Sequence, residues 1–145
     1  MKTSVRPFGV CIPNDNFLLF SVGSVVLDLS KAIKLQDVTF QVTTLSVGWI
    51  TTAIQTITPK HQELLKISIR VPYSPIFFDF DAIKNFAIYG EWLALDHLLV
   101  QFLESRSTPP KVICTRWDGP KQDMRPFTEC LLPELTRKGM VGLCR

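Results

Sequence analysis

The chain has none of the short motifs that mark common catalytic sites. It contains no GxGxxG, GxxxxGK(S/T) or GxSxG segment, so it lacks the glycine-rich turns that cradle phosphates or expose a nucleophilic serine. Its histidines, His61 and His97, have no carboxylate at a useful helical offset and no zinc-ligand spacing around them. We therefore expect no catalytic residue, no bound metal and no cofactor, and we predict that the protein is not an enzyme.

Cysteine is scarce and unpatterned. Cys11, Cys114, Cys130 and Cys144 include no CxxC pair, and the chain has no Asn-x-Ser/Thr glycosylation site. A small secreted domain stapled by disulfides would need a higher density of cysteine. We expect free thiols and an intracellular protein, either cytoplasmic or nuclear.

No apolar run has the length of a membrane span. The apolar segment at residues 16–29 falls short of the roughly 20 residues that a span needs, and Pro13 and Asp15 interrupt the approach to it. No small-residue cleavage site follows the segment, which argues against a secretory signal. We predict a buried strand here and no membrane contact.

Charge is also sparse. Charged residues make up 20% of the chain and hydrophobic residues 46%, with a net charge of +3 at pH 7. For a chain of 145 residues this composition indicates one globular domain with a sizeable core. The basic residues are dispersed, whereas nucleic-acid binders usually cluster them near aromatic residues, so we expect no nucleic-acid partner.

Three segments have the alternating pattern of strands, and helix-spaced apolar residues follow each one. The segments are residues 35–42, 65–71 and 111–117. In the first, Val38 and Phe40 alternate with polar neighbours, as in a half-buried strand. Strands separated by helix-length insertions indicate parallel pairing with crossovers. Residues 140–144 can begin one more strand.

The first predicted helix follows the strand at residues 35–42. Apolar residues at spacings of three and four run from Val47 to Ile57, and Ser46 precedes them as the expected N-cap residue. Pro59 should stop this helix. His61 falls in the polar connection that comes next, so we interpret it as a surface loop residue.

Prolines shape the second half of the chain. Residues 72–81 are aromatic and contain two prolines, which indicates a packed loop or a contact surface. A long helix follows, with its apolar stripe between residues 88 and 103. In the last helix Asp123 is the expected N-cap, Pro133 should kink or split the helix, and Gly139 should end it.

The spacing of the strands approaches that of leucine-rich repeats. Strand centres at Val38, Ile69, Ile113 and Val141 are separated by 31, 44 and 28 residues, while the longer leucine-rich repeats have about 29. The chain resembles the C-terminal leucine-rich-repeat region of fungal, mushroom-type F-box-like proteins in the segments LDLSKAIKLQDVTF, SVGWITTAIQTITPKHQELLKISI, YGEWLALDHLLVQFLESRSTPPKV and CLLPELTRKGMV. The resemblance covers about residues 26–143.

This resemblance implies an α/β fold, a short open leucine-rich-repeat-like solenoid with parallel strands on one face and helices on the other. Residues 26–145 would form this domain, after an N-terminal segment, residues 1–25, of unclear role. In the family the repeats present a recognition surface, while a separate N-terminal F-box attaches the protein to a ubiquitin-ligase scaffold. No F-box is visible in this sequence, so only the binding surface carries over.

We therefore predict a non-catalytic protein–protein interaction module with an unknown protein partner. Its binding surface should consist of outward-facing strand residues on a concave sheet. These residues are Asp37, Thr39, Gln41, Ser68, Arg70 and Arg116.

Two other functions stay open. The first is a small α/β enzyme with an unrecognised site, for which thiol chemistry at Cys114 is the remaining feature to test. The second is a truncated or degenerate repeat fragment that self-associates through open solenoid ends, because uncapped repeats expose apolar strand edges.

Overall fold

A computed structural model shows five parallel strands in one sheet. It describes residues 17–20, 28–44, 46–72, 75–116 and 123–143. The strands are β1 (Phe17–Phe20), β2 (Asp37–Gln41), β3 (Lys66–Val71), β4 (Lys111–Arg116) and β5 (Val141–Leu143). They lie in the order β1-β2-β3-β4-β5, and every neighbouring pair is parallel. The prediction of parallel strands is confirmed. β1 lies within the segment 16–29 where a strand was predicted, while residues 16, 21–27, 117 and 144 of the predicted strands lie outside the described residues.

Helices fill the connections from β2 onward. They are α1 (Gly48–Gln55), α2 (Phe80–Ile83), α3 (Ile88–Glu104), α4 (Arg125–Leu131) and α5 (Pro133–Arg137), and a 3₁₀ turn spans Pro75–Phe78. α3 contacts α1, α4 and α5, so it is the central helix of the layer. Parallel crossovers are nearly always right-handed, and a sheet in sequential order then places its connections on one side.

Two rows of apolar side chains cross the sheet on the side that faces the helices. The rows are Val38, Ile67 and Val112, and Phe40, Ile69 and Cys114. All of these residues are at most 1% exposed. Full burial of a side chain of this size contributes about 1.5–3 kcal/mol, so the two rows account for much of the cohesion between neighbouring strands.

A side chain from another helix caps the N-terminus of α1. Glu91, in the first turn of α3, accepts through Oε1 from the Ser46 hydroxyl at 2.9 Å, the Val47 N–H at 3.0 Å and the Gly48 N–H at 3.1 Å. The expected cap by Ser46 is therefore wrong, because its hydroxyl donates to Glu91 and Val47 is the N-cap residue. A carboxylate at this end of a helix satisfies N–H groups that have no partner inside the helix.

Asp96 caps α5 in the same way. Its Oδ2 accepts from the Glu134 N–H and its Oδ1 from the Leu135 N–H, each at 2.9 Å. The side chain is 3% exposed. Burial raises the pKa of Asp96, and the two backbone hydrogen bonds oppose that shift. The central helix α3 thus holds the N-termini of two neighbouring helices.

Pro133 splits the last predicted helix into α4 and α5, one of the two expected outcomes. Leu132 between them has φ −130° and ψ 57°, outside the helical region. Asp123 lies one residue before the N-cap residue, Met124, and accepts from the Arg125 N–H at 3.0 Å. The chain leaves α5 through Gly139, whose φ of 68° is a left-handed conformation that glycine adopts without strain.

His61 is buried, which corrects its assignment to the surface. Its Nδ1 accepts from the Thr58 N–H at 3.0 Å, so Nε2 carries the proton and donates to the Leu29 carbonyl at 2.7 Å. The Leu29 N–H in turn donates to Thr56 Oγ1 at 2.8 Å. Arg106 donates to the carbonyls of Thr58 and His61. These five residues, the edge network, join the loops that precede β2, β3 and β4.

The described part of residues 72–81 packs into the helix layer. Phe77 is 2% exposed. The ring centroids of Phe78 and Phe80 lie 5.8 Å and 6.4 Å from that of Phe127, and the Trp92 ring lies 5.4 Å from it. Aromatic pairs at these separations contribute about 0.5–1.5 kcal/mol beyond their buried area. The predicted packing is confirmed for these residues, but the predicted loop is wrong, because Pro75–Phe78 form a 3₁₀ turn and α2 begins at Phe80.

We expect Asp96→Ala to lower the free energy of unfolding by about 2–4 kcal/mol, because it leaves the Glu134 and Leu135 N–H groups without their acceptor. Urea unfolding followed by circular dichroism measures the change. Glu104→Gln is the matched control on the same helix, since it removes an exposed ion pair with Lys138 and should cost less than about 1 kcal/mol. A loss for Asp96→Ala no larger than that of the control would contradict the capping role.

The pH dependence of stability gives a second check on Asp96. Because its pKa is raised above 3.8, the native state holds this proton more strongly than the unfolded state. The stability of the wild type relative to Asp96→Asn should therefore decrease as the pH rises from below 3.8 through the raised native pKa, and then stay constant. A relative stability that increases over this window would be inconsistent with a desolvated Asp96.

Candidate interaction surface

The other side of the sheet carries polar side chains in straight rows. The rows are Asp37, Lys66 and Lys111; Thr39, Ser68, Ile113 and Gly142; and Gln41, Arg70 and Thr115. We call these residues the polar sheet face. Neighbouring strands lie about 4.8 Å apart, and successive residues on one side of a strand lie about 6.6 Å apart, so the face is a regular grid. The buried core lies on the opposite side of β2, β3 and β4, where the described helices pack.

The structure brings together five of the predicted binding residues and separates the sixth. Asp37, Thr39, Gln41, Ser68 and Arg70 all lie on the polar sheet face. Arg116 is the register partner of Val71 and follows Cys114 on the helix-facing side of β4. This position corrects its assignment, because side chains alternate along a strand and Thr115 is the residue that points the other way.

Five members of the face were missed from the sequence. They are Lys66, Lys111, Ile113 and Thr115 on β3 and β4, and Gly142 on β5 completes the middle row. The signal that could have found them is the strand alternation itself, counted from the buried Ile67 and Val112. Parallel register then places each next to a residue that had been identified.

The charge of the polar sheet face is positive. Lys66 Nζ lies 3.3 Å from Asp37 Oδ2, which pairs those two charges. Arg70 is partly exposed and Lys111 is exposed. Neither has an ion-pair partner within the described ranges of the chain. The face therefore presents one neutralised pair and two available cations.

The middle row has short side chains at Thr39 and Ser68 and borders a cavity at Ile113 and Gly142. Ser68 is 7% exposed between its longer neighbours. At Gly142 a Cβ atom would lie 3.7 Å from Ile113 Cγ1, so the absence of a side chain leaves Ile113 accessible from β5. A cavity of about 450 Å³ lies here, lined by Ile113, Gly142 and the residues beside them. The polar sheet face thus has a shallow apolar depression at β4 and β5, next to its charged rows.

A second cavity lies beside the edge network but holds no reactive pair. Its volume is about 440 Å³, and Thr58, Gln62, Ser105 and Arg106 are among the residues that line it. The Arg106 guanidinium is committed to backbone carbonyls and lies 5.2 Å from the centroid of the Phe102 ring. The cavity therefore lies between the connection that follows α1 and the end of α3, where these contacts hold the two segments together.

The described histidine and carboxylate groups form no clustered site. His97 Nδ1 lies 3.4 Å from Glu134 Oε1 at the surface, while its neighbour Asp96 is buried in the cap of α5. In the described ranges no group of three or more His, Cys, Asp or Glu residues is placed to hold a metal ion. None of the helices in those ranges has both the length and the apolar character needed to cross a membrane.

The two described cysteines are free thiols with raised pKa values. Cys114 is fully buried in the second apolar row, and burial raises its pKa to about 12. Burial is also the main cause that raises the pKa of the partly exposed Cys130. A nucleophilic cysteine needs a lowered pKa and access to substrate, and neither thiol has this combination.

No protein-family model, curated protein or solved structure matches this chain.

We expect Cys114 to resist thiol reagents in the folded protein and to react fully after unfolding, because it is buried and its pKa is about 12. Labelling with iodoacetamide at pH 8, followed by peptide mass spectrometry, reports each cysteine separately. Cys130 is the internal control and should label in the folded state, since it is partly exposed. Labelling of Cys114 as fast as Cys130 under native conditions would revive the enzyme alternative.

Proposed function

We propose that this protein is a non-catalytic protein–protein interaction module that binds its partner through the polar sheet face. The observation that carries the proposal is the parallel register, which lines up the polar side chains of β2, β3 and β4 in rows. The proposed architecture is a short open solenoid of leucine-rich-repeat type. The resemblance to the recognition region of fungal F-box-like proteins favours the same role.

The stacking of strand-and-helix units supports this proposal. Each of the loops before β2, β3 and β4 is tied to another by the edge network, in which His61 binds Leu29 and Arg106 binds His61. Repeat proteins are stabilised by such contacts between neighbouring units and use extended surfaces for binding. A surface held rigidly before binding loses less conformational entropy when the partner docks.

The chemistry of the face also favours binding over catalysis. Apart from Ile113 and Gly142, its members carry hydroxyl, amide or charged groups on regular strands, and none of them is a histidine or a cysteine. Catalysis would need a nucleophile or a proton-transfer group within reach of a base. The thiol alternative depends on Cys114, which lies on the other side of the sheet.

Site-specific photo-crosslinking tests the proposed surface. Benzoylphenylalanine is placed at Gln41, on the polar sheet face, and in a separate variant at Gln55, an exposed residue of α1. In a lysate of cells that express the protein, we expect a discrete crosslinked partner from position 41 and none of that mass from position 55. Excess unmodified wild-type protein should compete the product away, because it offers the same surface.

The other possible outcomes of the crosslinking experiment each contradict this proposal or support an alternative. Equal products from both positions, or none from position 41, would contradict the sheet face as the binding surface. A product with the mass of two copies of this chain would instead support the self-association alternative, and a concentration-dependent elution volume in size-exclusion chromatography would then accompany it.

A further inference from the structure

Arg70 lies at the centre of the third row of the polar sheet face. Its register partners are Gln41 on β2 and Thr115 on β4, so uncharged hydrogen-bonding side chains stand on both sides of it. In the part of the chain that the structure describes, no carboxylate pairs with Arg70, and the residue is partly exposed. Its guanidinium donors are therefore available to a ligand.

A carboxylate is the ligand that this row fits best. The guanidinium fork of Arg70 matches a planar carboxylate through two parallel hydrogen bonds. The amide of Gln41 can donate to a remaining lone pair of the same ligand, and the Thr115 hydroxyl can do so in exchange for its long, 3.5 Å hydrogen bond to the Arg116 carbonyl. Asp37 does not compete for Arg70, because it lies two rows away and pairs with Lys66.

Lys111 provides a second anchor at a defined spacing. It lies four residues before Thr115 on β4, which corresponds to about 13 Å along the strand at 3.3 Å per residue. Between the two cations lies the part of the middle row on β3 and β4, which is formed by Ser68 and Ile113. An extended chain lying over the face would span the same distance with four residues.

We propose that the polar sheet face binds an extended acidic segment of a partner protein, with one carboxylate on Arg70 and a second, four residues away, on Lys111. The inference rests on the proposed function and specifies the chemistry of the partner. In an extended segment residues i, i+2 and i+4 point to the same side, so both acids can face the sheet. The residue midway between them faces Ser68 and Ile113, which favours an uncharged side chain there.

A nucleic acid fits this face less well, although its phosphates are also anions. Bases of a single strand usually stack on aromatic side chains. On β2 to β5 the polar sheet face includes no aromatic ring. A neutral peptide would leave both cations without a counter-charge once they were covered, at a cost in desolvation.

Fluorescence anisotropy of labelled peptides on the full chain tests the proposal. The probe is Gly-Glu-Ser-Ser-Ser-Glu-Gly, compared with a version in which Gln replaces both Glu and with Gly-Glu-Glu-Ser-Ser-Ser-Gly, in which the acids are adjacent. We expect the first peptide to bind most tightly, and Arg70→Gln to weaken its binding about tenfold or more, since the variant removes a charge-assisted bidentate pair.

Matched variants distinguish the contribution of the bidentate guanidinium geometry of Arg70 from the contribution of its positive charge. Arg70→Lys keeps the charge and loses the fork, so it should weaken binding by an intermediate factor. Arg137→Gln removes an exposed arginine from α5 and should leave the affinity within about twofold of the wild type. Equal unfolding midpoints for the wild type and the Arg70 variants show that the fold is intact. If Arg70→Gln does not fold, the affinity of Arg70→Lys for the first peptide and the affinity of the wild type for the Gln version test the proposal instead.

Several results would overturn the proposal. These are the absence of saturable binding of the first peptide up to about 1 mM, equal affinity for the Gln version or for the adjacent acids, and equal losses for Arg70→Gln and Arg137→Gln. Tighter binding of a deoxythymidine oligonucleotide than of the acidic peptide would overturn it in favour of a nucleic acid. If the peptides fail while the crosslink from position 41 persists, the acidic partner is wrong and the interaction surface stands.

Discussion

The common register of the parallel strands is the constraint on which the rest of the structure depends. It aligns Val38 with Ile67 and Val112, and the next inward residues form a second buried row. A shift of one residue in any strand would move its apolar side chains to the polar side. The same register that closes the core therefore also assembles the polar sheet face, so stability and the proposed binding role have one origin.

The helix layer is held by contacts that join residues far apart in the sequence. α1 and α5 contain eight and five residues, too few to be stable by themselves in water. Glu91 and Asp96 of α3 each accept from two backbone N–H groups at the N-termini of these two helices. At the N-terminal ends of the strands, the edge network links the loops that precede β2, β3 and β4. Together these bonds fix the spacing of the units beneath the proposed binding surface.

The strands and the long helix were predictable from the sequence because their signals are local. Alternation around Val38 and the apolar stripe of α3 each lie within one element. The errors came where the deciding partner is distant: Ser46 donates to a carboxylate 45 residues away, and His61 binds a carbonyl 32 residues away. The placement of Arg116 is different, since strand alternation alone assigns it to the helix-facing side. The proposed acidic ligand needed the register, because Gln41, Arg70 and Thr115 become neighbours only in the sheet.

NMR of protein labelled at Ile, Leu and Val methyl groups tests the shared register most directly. The structure predicts nuclear Overhauser effects between the methyl groups of Val38 and Ile67 and between those of Ile67 and Val112, because these residues are direct register partners. It also predicts no intense Hα–Hα cross-peaks between β2, β3 and β4, since only antiparallel strands bring those protons close. Intense Hα–Hα cross-peaks, or an Ile67 that contacts neither partner, would contradict both the parallel sheet and the surface built on it.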